Sequence, residues 1–346
     1  MSKNVFITGG TGFLGCHLAR ALLKENYAVT LFDIAPLDAT DLIGKVTSIQ
    51  GDIRNKKELE KAIKNHDFVV HAAAALPIAR DKKIIFENNV EGTKNVLEAC
   101  LKQKVKRLVF ISTTAVYGVP KHLPEKEDSP LDPIGYYGQS KIAAENLCKE
   151  YMQKGLEVNI LRAKTFLGPE RLGVFALWFD AIHNNKSVFL LGKGNNKYQL
   201  LAVSDMVSAI IRSLESKTKN EIFNIGAKEF GTWRQDLGYV IKKEHSKAKI
   251  VGFPILPSQF ALMILEKLNL SPIAAWHYKT IPVDSYISVE KAETLLNWHP
   301  KKSNKELLLE SYHWYKQHRK DVINRVGNTH RVGWNFQALN LVRKFF

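Results

Sequence analysis

Residues 8–15 of the chain read Thr-Gly-Gly-Thr-Gly-Phe-Leu-Gly, directly after the apolar run 5–7. This order predicts a strand that ends in a glycine turn and continues into a helix. Gly9 permits the sharp turn, Gly12 lets backbone N–H groups approach a phosphate, and Gly15 lets the helix pack closely on the strand. Because the N-terminal end of a helix favours an anion, the stretch predicts a binding site for the pyrophosphate of a dinucleotide.

A second apolar run, 28–32, follows the predicted helix and ends in Asp33. An acidic side chain at this distance from the glycines accepts hydrogen bonds from both hydroxyls of the adenosine ribose and repels a 2′-phosphate. The sequence therefore predicts NAD rather than NADP as the cofactor. A solvated carboxylate at a strand end, or a helix cap, would give the same pattern.

Composition indicates a globular protein in a reducing compartment. The chain has 346 residues, of which 45% are hydrophobic, enough for one large domain or two fused ones. The three cysteines lie far apart, without a C-x-x-C pair or a histidine at metal-ligand spacing, so we expect buried thiols and no metal. No signal peptide is visible. A helix needs about 20 consecutive apolar residues to span a bilayer, and the apolar stretch 253–270 is too interrupted by polar residues and prolines to do so. We expect a cytoplasmic protein.

The formal charge of +16 is large and calls for an anionic partner. Phosphate-bearing substrates, nucleic acid and an anionic membrane surface all fit such a charge. The basic residues are scattered, and no module that combines aromatic and basic residues is visible, so nucleic acid is disfavoured. A solvated basic surface is the remaining explanation.

Strands and helices alternate through the first half of the chain and more loosely after about residue 165. Repeated βαβ units with buried, non-alternating strands predict an α/β fold, a doubly wound parallel Rossmann sheet. We expect a dinucleotide-binding domain over 1–165, with 199–226 rejoining the sheet. A smaller C-terminal α/β substrate domain is predicted over 166–198 and 227–318, followed by a basic and aromatic tail over 319–346.

A candidate catalytic group begins a predicted helix at residue 137. Tyr137 and Lys141 are four residues apart and so lie on one face of that helix. A nearby ammonium group lowers a tyrosine pKa from about 10 and makes the phenolate a base for a substrate alcohol. Thr113, at the carboxyl end of the strand predicted over 107–112, would hold the substrate hydroxyl. Taken singly, these residues would be a surface pair and a turn former.

With these residues the chain resembles the extended short-chain dehydrogenase/reductases of the NAD-dependent epimerase/dehydratase family, over about residues 3–315. The resemblance rests on eight motifs: the glycine stretch 8–15, Gly51-Asp52-Ile53, His71-Ala72-Ala73, Asn89-Val-Glu-Gly-Thr93, Ser112-Thr113 with Val116-Tyr117-Gly118, Tyr137-x-x-x-Lys141, Leu161-Arg162 with Gly168-Pro169, and Val203-Ser-Asp205. It implies that Tyr137 is the acid/base, that Lys141 lowers its pKa and holds the nicotinamide ribose, and that Thr113 orients the substrate.

The resemblance also implies a set of cofactor contacts around the glycine turn and the following strand ends. Asp52 and Ile53 would contact adenine, and Ala72 and Ala73 would line the cofactor; without the family they would be a strand-end cap and a buried strand. The full set is Gly9, Gly12, Phe13, Leu14, Gly15, Asp33, Asp52, Ile53, Ala72, Ala73, Asn89, Tyr137 and Lys141.

The sequence departs from nucleotide-sugar members at two positions. Thr165 stands where an asparagine is common, and Tyr198-Gln199 where an Arg-Asp pair is common. Cations at Lys164, Arg171 and Lys197 would replace the missing contacts to a diphosphate, although each would also be explained as surface charge. The candidate substrate-binding residues are Thr114, Thr165, Arg171, Lys197 and Tyr198.

Other features bear on the choice of substrate. The stretch 253–270 resembles the apolar helix of sterol-type 3β-hydroxy dehydrogenases, although a buried lid helix would look the same. The basic and aromatic tail suits a membrane interface, or packing onto its own domain or a dimer partner. By contrast, the segment 288–300 resembles the closing element of sugar epimerases, with Asn297 in place of the usual glycine. Thr114 and Ala115, where sugar dehydratases carry acids, disfavour dehydration.

These observations predict an NAD-dependent epimerase that acts on a nucleotide sugar. The alternatives are an NAD-dependent 3β-hydroxysteroid or lipid-alcohol dehydrogenase at a membrane surface, and a non-catalytic NAD-binding protein. The family resemblance further implies a homodimer that forms through the helices predicted over 89–103 and 137–154.

Overall fold

The computed structural model describes residues 3–77, 81–267 and 275–324. The strands in chain order are β1 (Asn4–Thr8), β2 (Ala28–Asp33), β3 (Thr47–Gln50), β4 (Phe68–His71), β5 (Arg107–Thr113), β6 (Val158–Ala163), β7 (Phe166–Leu167), β8 (Val188–Leu191), β9 (Leu201–Ala202), β10 (Ile222–Ile225) and β11 (Ile250–Phe253). The helices are α1 (Phe13–Lys24), α2 (Lys56–Ile63), α3 (Lys82–Phe86), α4 (Gly92–Lys102), α5 (Gly135–Gln153), α6 (Phe175–His183), α7 (Val203–Glu215), α8 (Trp233–Lys243), α9 (Ile255–Lys267), α10 (Ala275–Thr280), α11 (Glu290–Leu295) and α12 (Asn304–Asn324).

Seven strands form one parallel sheet in the order β10-β6-β5-β4-β1-β2-β3. Val5 of β1 pairs with Val29 of β2 on one side and with Phe68 of β4 on the other. Because the strand order reverses at β1, the carboxyl ends of β1 and β4 form the crevice where open α/β sheets bind ligands. The predicted doubly wound parallel Rossmann sheet is confirmed.

Helices cover both faces of the sheet, which explains its nearly continuous apolar strands. On one face α1 and α7 pack with side chains such as Leu18 and Ile210. On the other, α2, α4 and α5 contribute Leu59, Leu97 and Ala144. All three cysteines are buried, and none of them forms a disulfide.

The chain after β6 builds a second apolar cluster from α6, α8 and α12, with Phe179, Leu237 and Tyr312 among its members. Short parallel pairs, β7 with β9 and β8 with β11, accompany it. β10 returns to the edge of the main sheet beside β6. Residues 287–298, which lie within the range predicted for the substrate domain, pack on the α1 and α7 side of the sheet. The indole of Trp298 anchors them by donating to Ser208 on α7, at 2.8 Å.

The structure differs from the single helix predicted over 89–103 in the first part of that range. The helical structure begins earlier, at α3, because Asp81 accepts hydrogen bonds from Lys83 N and Ile84 N and caps it. A widened π turn, Glu87–Glu91, then joins α3 to α4 and contains Asn89. Such turns insert an extra residue into a helix and are frequent at functional sites.

Across the described residues, none of the helices has both the length and the apolar character needed to cross a bilayer. The predicted tail lies mostly outside the described residues, since only its first positions, up to residue 324, belong to α12.

Candidate active site

The glycine turn joins β1 to α1 in a form that only glycine allows. Gly9 has φ +68°, and a Cβ there would lie 2.8 Å from the backbone nitrogen of Ala73. A Cβ on Gly15 would overlap the carbonyl of Gly10. Gly12 occupies the N-cap position of α1. The turn therefore presents bare backbone at a helix N-terminus, the arrangement that fits a pyrophosphate. The next two predicted contacts, Phe13 and Leu14, are buried in the first turn of α1.

Asp33 lies at the carboxyl end of β2, beside this turn. Its carboxylate accepts hydrogen bonds from Thr11 N at 3.2 Å and from Ala35 N at 3.1 Å. The side chain is half-buried, so part of the carboxylate faces solvent. The carboxylate thus caps local backbone, one of the two interpretations of the sequence, and its contact with a ribose diol stays a prediction. These residues fit NAD.

The loop after β4 forms the other wall of the crevice. Ala73 N donates to the Thr8 hydroxyl at 3.3 Å, which places the two predicted alanines next to the glycine turn. Asn89 is buried, and its side chain accepts from Ala75 N at 2.7 Å and donates to Ala75 O and to the Ser140 hydroxyl. Asn89 therefore fixes the loop against α5, which is a positioning role. Its direct contact with a cofactor stays a prediction.

The predicted adenine contacts have structural roles in the protein itself. The Asp52 carboxylate binds the guanidinium of Arg54 at 2.6 Å, which lowers the pKa of that carboxyl. Ile53 is 6% exposed and packs against Gly92. Both residues thus match the strand-end cap and buried residue that the sequence left as alternatives, and the adenine contact remains a prediction.

Thr113 and Tyr137 meet at the carboxyl edge of the sheet. Thr113 ends β5, and Tyr137 lies in the first turn of α5. The Thr113 hydroxyl accepts from Ala115 N at 3.1 Å and hydrogen-bonds the phenol oxygen of Tyr137 in the direction that favours phenolate. Burial nevertheless raises the pKa of Tyr137 to about 12, against the opposing effect of the Arg171 charge.

The Lys141 side chain is held at the end of β5. Its ammonium donates to Ile111 O at 2.9 Å and lies 4.8 Å from the ring centroid of Phe110. Burial lowers the pKa of Lys141 to about 8. In the protein alone the Arg171 charge lowers the pKa of Tyr137, and burial outweighs it. The expected effect of Lys141 on the pKa of Tyr137, and its contact with the nicotinamide ribose, stay predictions.

Arg171 lies near both the glycine turn and Tyr137. The backbone of Arg171 closes a tight turn with Gly168 through two hydrogen bonds, and the guanidinium lies 5.7 Å from the ring centroid of Phe13. Within the described part of the chain, it forms no ion pair with a carboxylate. A half-buried cation in this position is available to an anionic ligand.

A second cation, Lys164, follows β6 directly and is 4% exposed. Its ammonium donates to the Ser285 hydroxyl at 2.8 Å and to Ser285 O at 3.1 Å, and lies 4.8 Å from the ring centroid of Tyr198. Burial lowers the pKa of Lys164 to about 7. Tyr198 is itself hydrogen-bonded with Thr165 and Thr280. The predicted residues Thr165 and Tyr198 therefore share one buried polar cluster with Lys164.

The two remaining substrate candidates differ in exposure. Thr114 is buried in the short 3₁₀ turn that follows β5, next to Thr113. Lys197 neighbours Tyr198, but its side chain is exposed. Its backbone is bound on both sides, since Lys197 N donates to the Asp284 carboxylate at 2.6 Å and Lys197 O accepts from Ser285 N at 2.9 Å. The structure thus leaves the Lys197 ammonium outside the polar cluster.

Residues 5–226 match the family described as the NAD dependent epimerase/dehydratase family. The chain belongs to this family. It is 30% identical, over 93% of its length and 100% of the relative's, to UDP-N-acetyl-alpha-D-glucosaminuronate decarboxylase of Bacillus cytotoxicus. It is also 30% identical to a putative UDP-glucose 4-epimerase of Methanocaldococcus jannaschii, over 91% of this chain and 99% of that one.

Solved structures agree with this assignment. UDP-glucuronic acid 4-epimerase from Bacillus cereus, crystallised in complex with NAD, superimposes with a TM-score of 0.75 at 26% identity, covering 91% of this chain and 99% of that one. The predicted family, the enzyme class and NAD as the cofactor are confirmed by these comparisons. In the ranges that the structure describes, no group of three or more metal-ligating side chains is present.

The sequence did not predict the buried hydrogen-bond and ion-pair network that holds α5 against the sheet. Glu145 on α5 pairs with Arg162 on β6 at 2.7 Å, both almost fully buried, and accepts from the Ser112 hydroxyl at 2.6 Å. Arg162 also donates to the Tyr117 hydroxyl, which donates to Asn224 on β10. The sequence contained one signal, an arginine within the apolar run of β6, but its partner was not identifiable.

Proposed function

We propose that this enzyme is an NAD-dependent epimerase of a nucleotide sugar. The observation that supports this most directly is the hydrogen-bonded pair of Thr113 and Tyr137 at the sheet edge, beside the glycine turn and Arg171. A phenol that can exchange a proton, placed next to a dinucleotide site, is the arrangement required to oxidise a secondary alcohol.

The chain's own groups would handle the proton in this reaction. Tyr137 accepts the proton of the substrate hydroxyl while Thr113 holds that hydroxyl in position. Bound NAD supplies the acceptor for the hydride that leaves the same carbon. Tyr137 would return the proton to the ketone oxygen as the alcohol re-forms, so that an inverted alcohol results with no net loss of the proton.

The cations near this pair favour a substrate with several negative charges. Arg171 and Lys164 form no ion pair with a carboxylate in the described residues, although Lys164 is buried and Arg171 is half-buried. Uncompensated cations in such positions are costly unless a ligand supplies the counter-charge. A nucleotide diphosphate does so, and relatives named for UDP-sugars, one of them a uronic acid, support this class of substrate.

Two alternatives lead to different products. A dehydrogenase of a lipid alcohol would release NADH, and a non-catalytic NAD-binding protein would have no use for Thr113 or Tyr137. Dehydration lacks a visible acid, because Thr114 and Ala115 follow Thr113.

The deciding experiment is an incubation of the purified protein with catalytic NAD and separate UDP-sugars, including UDP-glucose and UDP-glucuronic acid. NMR reports the sugar epimers, and absorbance reports NADH. Epimers without NADH support the proposal, whereas stoichiometric NADH supports the dehydrogenase. Tyr137→Phe should abolish turnover and leave NAD binding intact; substantial residual turnover would contradict the role of Tyr137.

A homodimer through α4 and α5, in the cytoplasm, completes the proposal. These helices lie side by side on one face of the sheet. Light scattering behind a sizing column would give the mass in solution, and a mass of one chain would contradict the dimer.

A further inference from the structure

The exposed apolar side chains of the protein are concentrated in one short stretch. Of the described residues, half of the large apolar side chains that face solvent lie within 251–265. Leu256 is 78% exposed and Phe260 62%. We call the following set the α9 surface: Phe253, Ile255, Leu256, Phe260, Ile264 and Leu265. Leu256 and Phe260, the two most exposed of them, are four residues apart and so share one face of α9. A concentration of exposed apolar side chains marks a site of association rather than ordinary surface.

The inner side of α9 is held by polar contacts, so the outward direction of the apolar side chains is defined. Gln259 donates to Tyr278 O at 2.9 Å, and Glu266 accepts from the Tyr278 hydroxyl at 2.7 Å. The helix is thereby tied to α10 on one side. The side that carries Leu256 and Phe260 is left exposed.

The charge around the α9 surface is positive. Between residues 245 and 283 the sequence has one acid, Glu266, against four lysines, at 247, 249, 267 and 279. Two further exposed cations lie beside β11, because Arg234 donates both to Lys193 O and to Ile250 O. Lys247, Lys249 and Lys279 are exposed.

This charge discriminates between the possible occupants. A symmetric contact between two copies would bring each basic rim against an identical one, which is repulsive. The C-terminal stretch 325–346 contains four Lys or Arg residues and no acid, so it would be repelled as well. An anionic bilayer attracts the rim and accepts the apolar side chains below its headgroups.

We propose that the α9 surface docks the enzyme onto the face of an anionic membrane as a peripheral attachment. Leu256 and Phe260 enter the boundary between headgroups and acyl chains, and the surrounding lysines pair with lipid phosphates. The proposal does not depend on the reaction that the active site performs.

Flotation of the full chain with vesicles tests this. The protein should bind vesicles of phosphatidylcholine that contain about a third phosphatidylglycerol, and not phosphatidylcholine alone. Raising the salt from about 0.1 M to about 1 M, which shortens the Debye length from about 10 Å to about 3 Å, should release most of it. Failure to bind the anionic vesicles at low salt, or equal binding to both vesicle types, would overturn the proposal.

Matched variants locate the contact. Leu256→Ser with Phe260→Ser should weaken the vesicle partition coefficient at least about tenfold, because two buried apolar side chains are lost. The control is Ile43→Ser, a residue that is 59% exposed elsewhere on the surface. It should bind as the unaltered protein does. A second comparison tests the charges with two double variants. Lys247→Glu combined with Lys249→Glu should weaken vesicle binding, and the control, Lys57→Glu combined with Lys61→Glu on α2, should weaken it less.

Three results would contradict the docking surface. One is binding that survives the Leu256 and Phe260 changes but disappears on deletion of 325–346, which would assign the contact to the tail. Another is a charge pair on α2 that matters as much as Lys247 and Lys249. The third is a dimer in solution that the Leu256 and Phe260 changes dissociate. Circular dichroism melting of each variant shows that it is folded.

Discussion

Replacing Glu145 by alanine should destabilise the protein much more than replacing Glu150 by alanine, although both are glutamates of α5 that pair with a cation. Glu145 and Arg162 are 1% and 2% exposed, whereas Glu150 and Lys154 are about half exposed. Burial decides the outcome, because water can replace the lost partner only at the exposed pair.

The size of the effect follows from the groups left behind. Removing the Glu145 carboxylate leaves the Arg162 guanidinium buried without a counter-ion and takes away the acceptor of the Ser112 hydroxyl. Breaking a buried pair in this way costs about 3–5 kcal/mol. Loss of the Glu150–Lys154 pair, an exposed i,i+4 contact, costs about 0.3–0.5 kcal/mol.

Urea unfolding followed by tryptophan fluorescence measures both changes. The Glu145→Ala midpoint should fall far below that of the unaltered protein, and the Glu150→Ala midpoint should barely move. Combining Glu145→Met with Arg162→Met should recover part of the loss, since neither charge is then orphaned. Equal midpoints for the two alanine variants, or a double variant no more stable than Glu145→Ala, would refute the reasoning.

Three further predictions concern the site. Asp33→Ala should narrow the preference for NAD over NADP in calorimetric titrations, because the carboxylate that repels a 2′-phosphate is gone; equal affinity in the unaltered protein would contradict this. Arg171→Leu should move the rising limb of the kcat–pH profile to higher pH, since the guanidinium lowers the Tyr137 pKa, and an unmoved limb would exclude that role. Burial lowers the pKa of Lys164 from 10.5 to about 7, so between these values the unfolded chain binds a proton that the folded chain does not. Stability should therefore rise with pH across this window, and Lys164→Met should flatten the rise in melting temperature; an unchanged slope would argue against it.

The fold was predictable because its signals are local. The apolar strands and the spacing of Gly9 and Gly15 depend on residues close in sequence, and the backbone geometry at both glycines leaves no room for a side chain. Asn297 shows the same logic in a departure from the family. It has φ +49°, a left-handed conformation that asparagine adopts more readily than other residues with a side chain, so it can replace the usual glycine.

The sequence showed the family motifs but not what their side chains do in the structure. The sequence Val203-Ser-Asp205 was recognised only as a pattern. In the structure the Asp205 carboxylate accepts from Lys301 N at 3.1 Å and from Lys302 N at 3.0 Å, which ties α7 to the segment before α12. No local pattern between residues 205 and 301 predicts that contact, because it depends on how the helices and strands pack in three dimensions.

The pairing of buried charges was the least predictable feature. Lysines, arginines and glutamates are usually solvated, so residue type alone does not point to the buried positions of Glu145, Arg162 and Lys164. Spacing also left the contacts of Lys141 open: the interval of four residues places it on the Tyr137 face of α5, and the structure adds that its ammonium donates to Ile111 O. The spacing of residues along a helix fixes the direction of each Cα–Cβ bond. The side-chain torsion angles beyond Cβ depend on the neighbouring side chains.

The electrostatics of Tyr137 suit a reaction that moves one proton in both directions. With a pKa of about 12 in the protein alone, the phenol is protonated at neutral pH, which is the form that returns a proton to a ketone oxygen. The outward transfer needs the phenolate, and the Thr113 hydroxyl and the Arg171 cation both favour it. Because neither overcomes burial by itself, the balance depends on the charges that ligands bring. A diphosphate paired with Arg171 would reduce the effect of the guanidinium on the pKa of Tyr137. The positively charged ring of oxidised NAD would stabilise the phenolate and lower that pKa. The pKa of Tyr137 should therefore fall when NAD binds without substrate, and ultraviolet titration against Tyr137→Phe measures that shift.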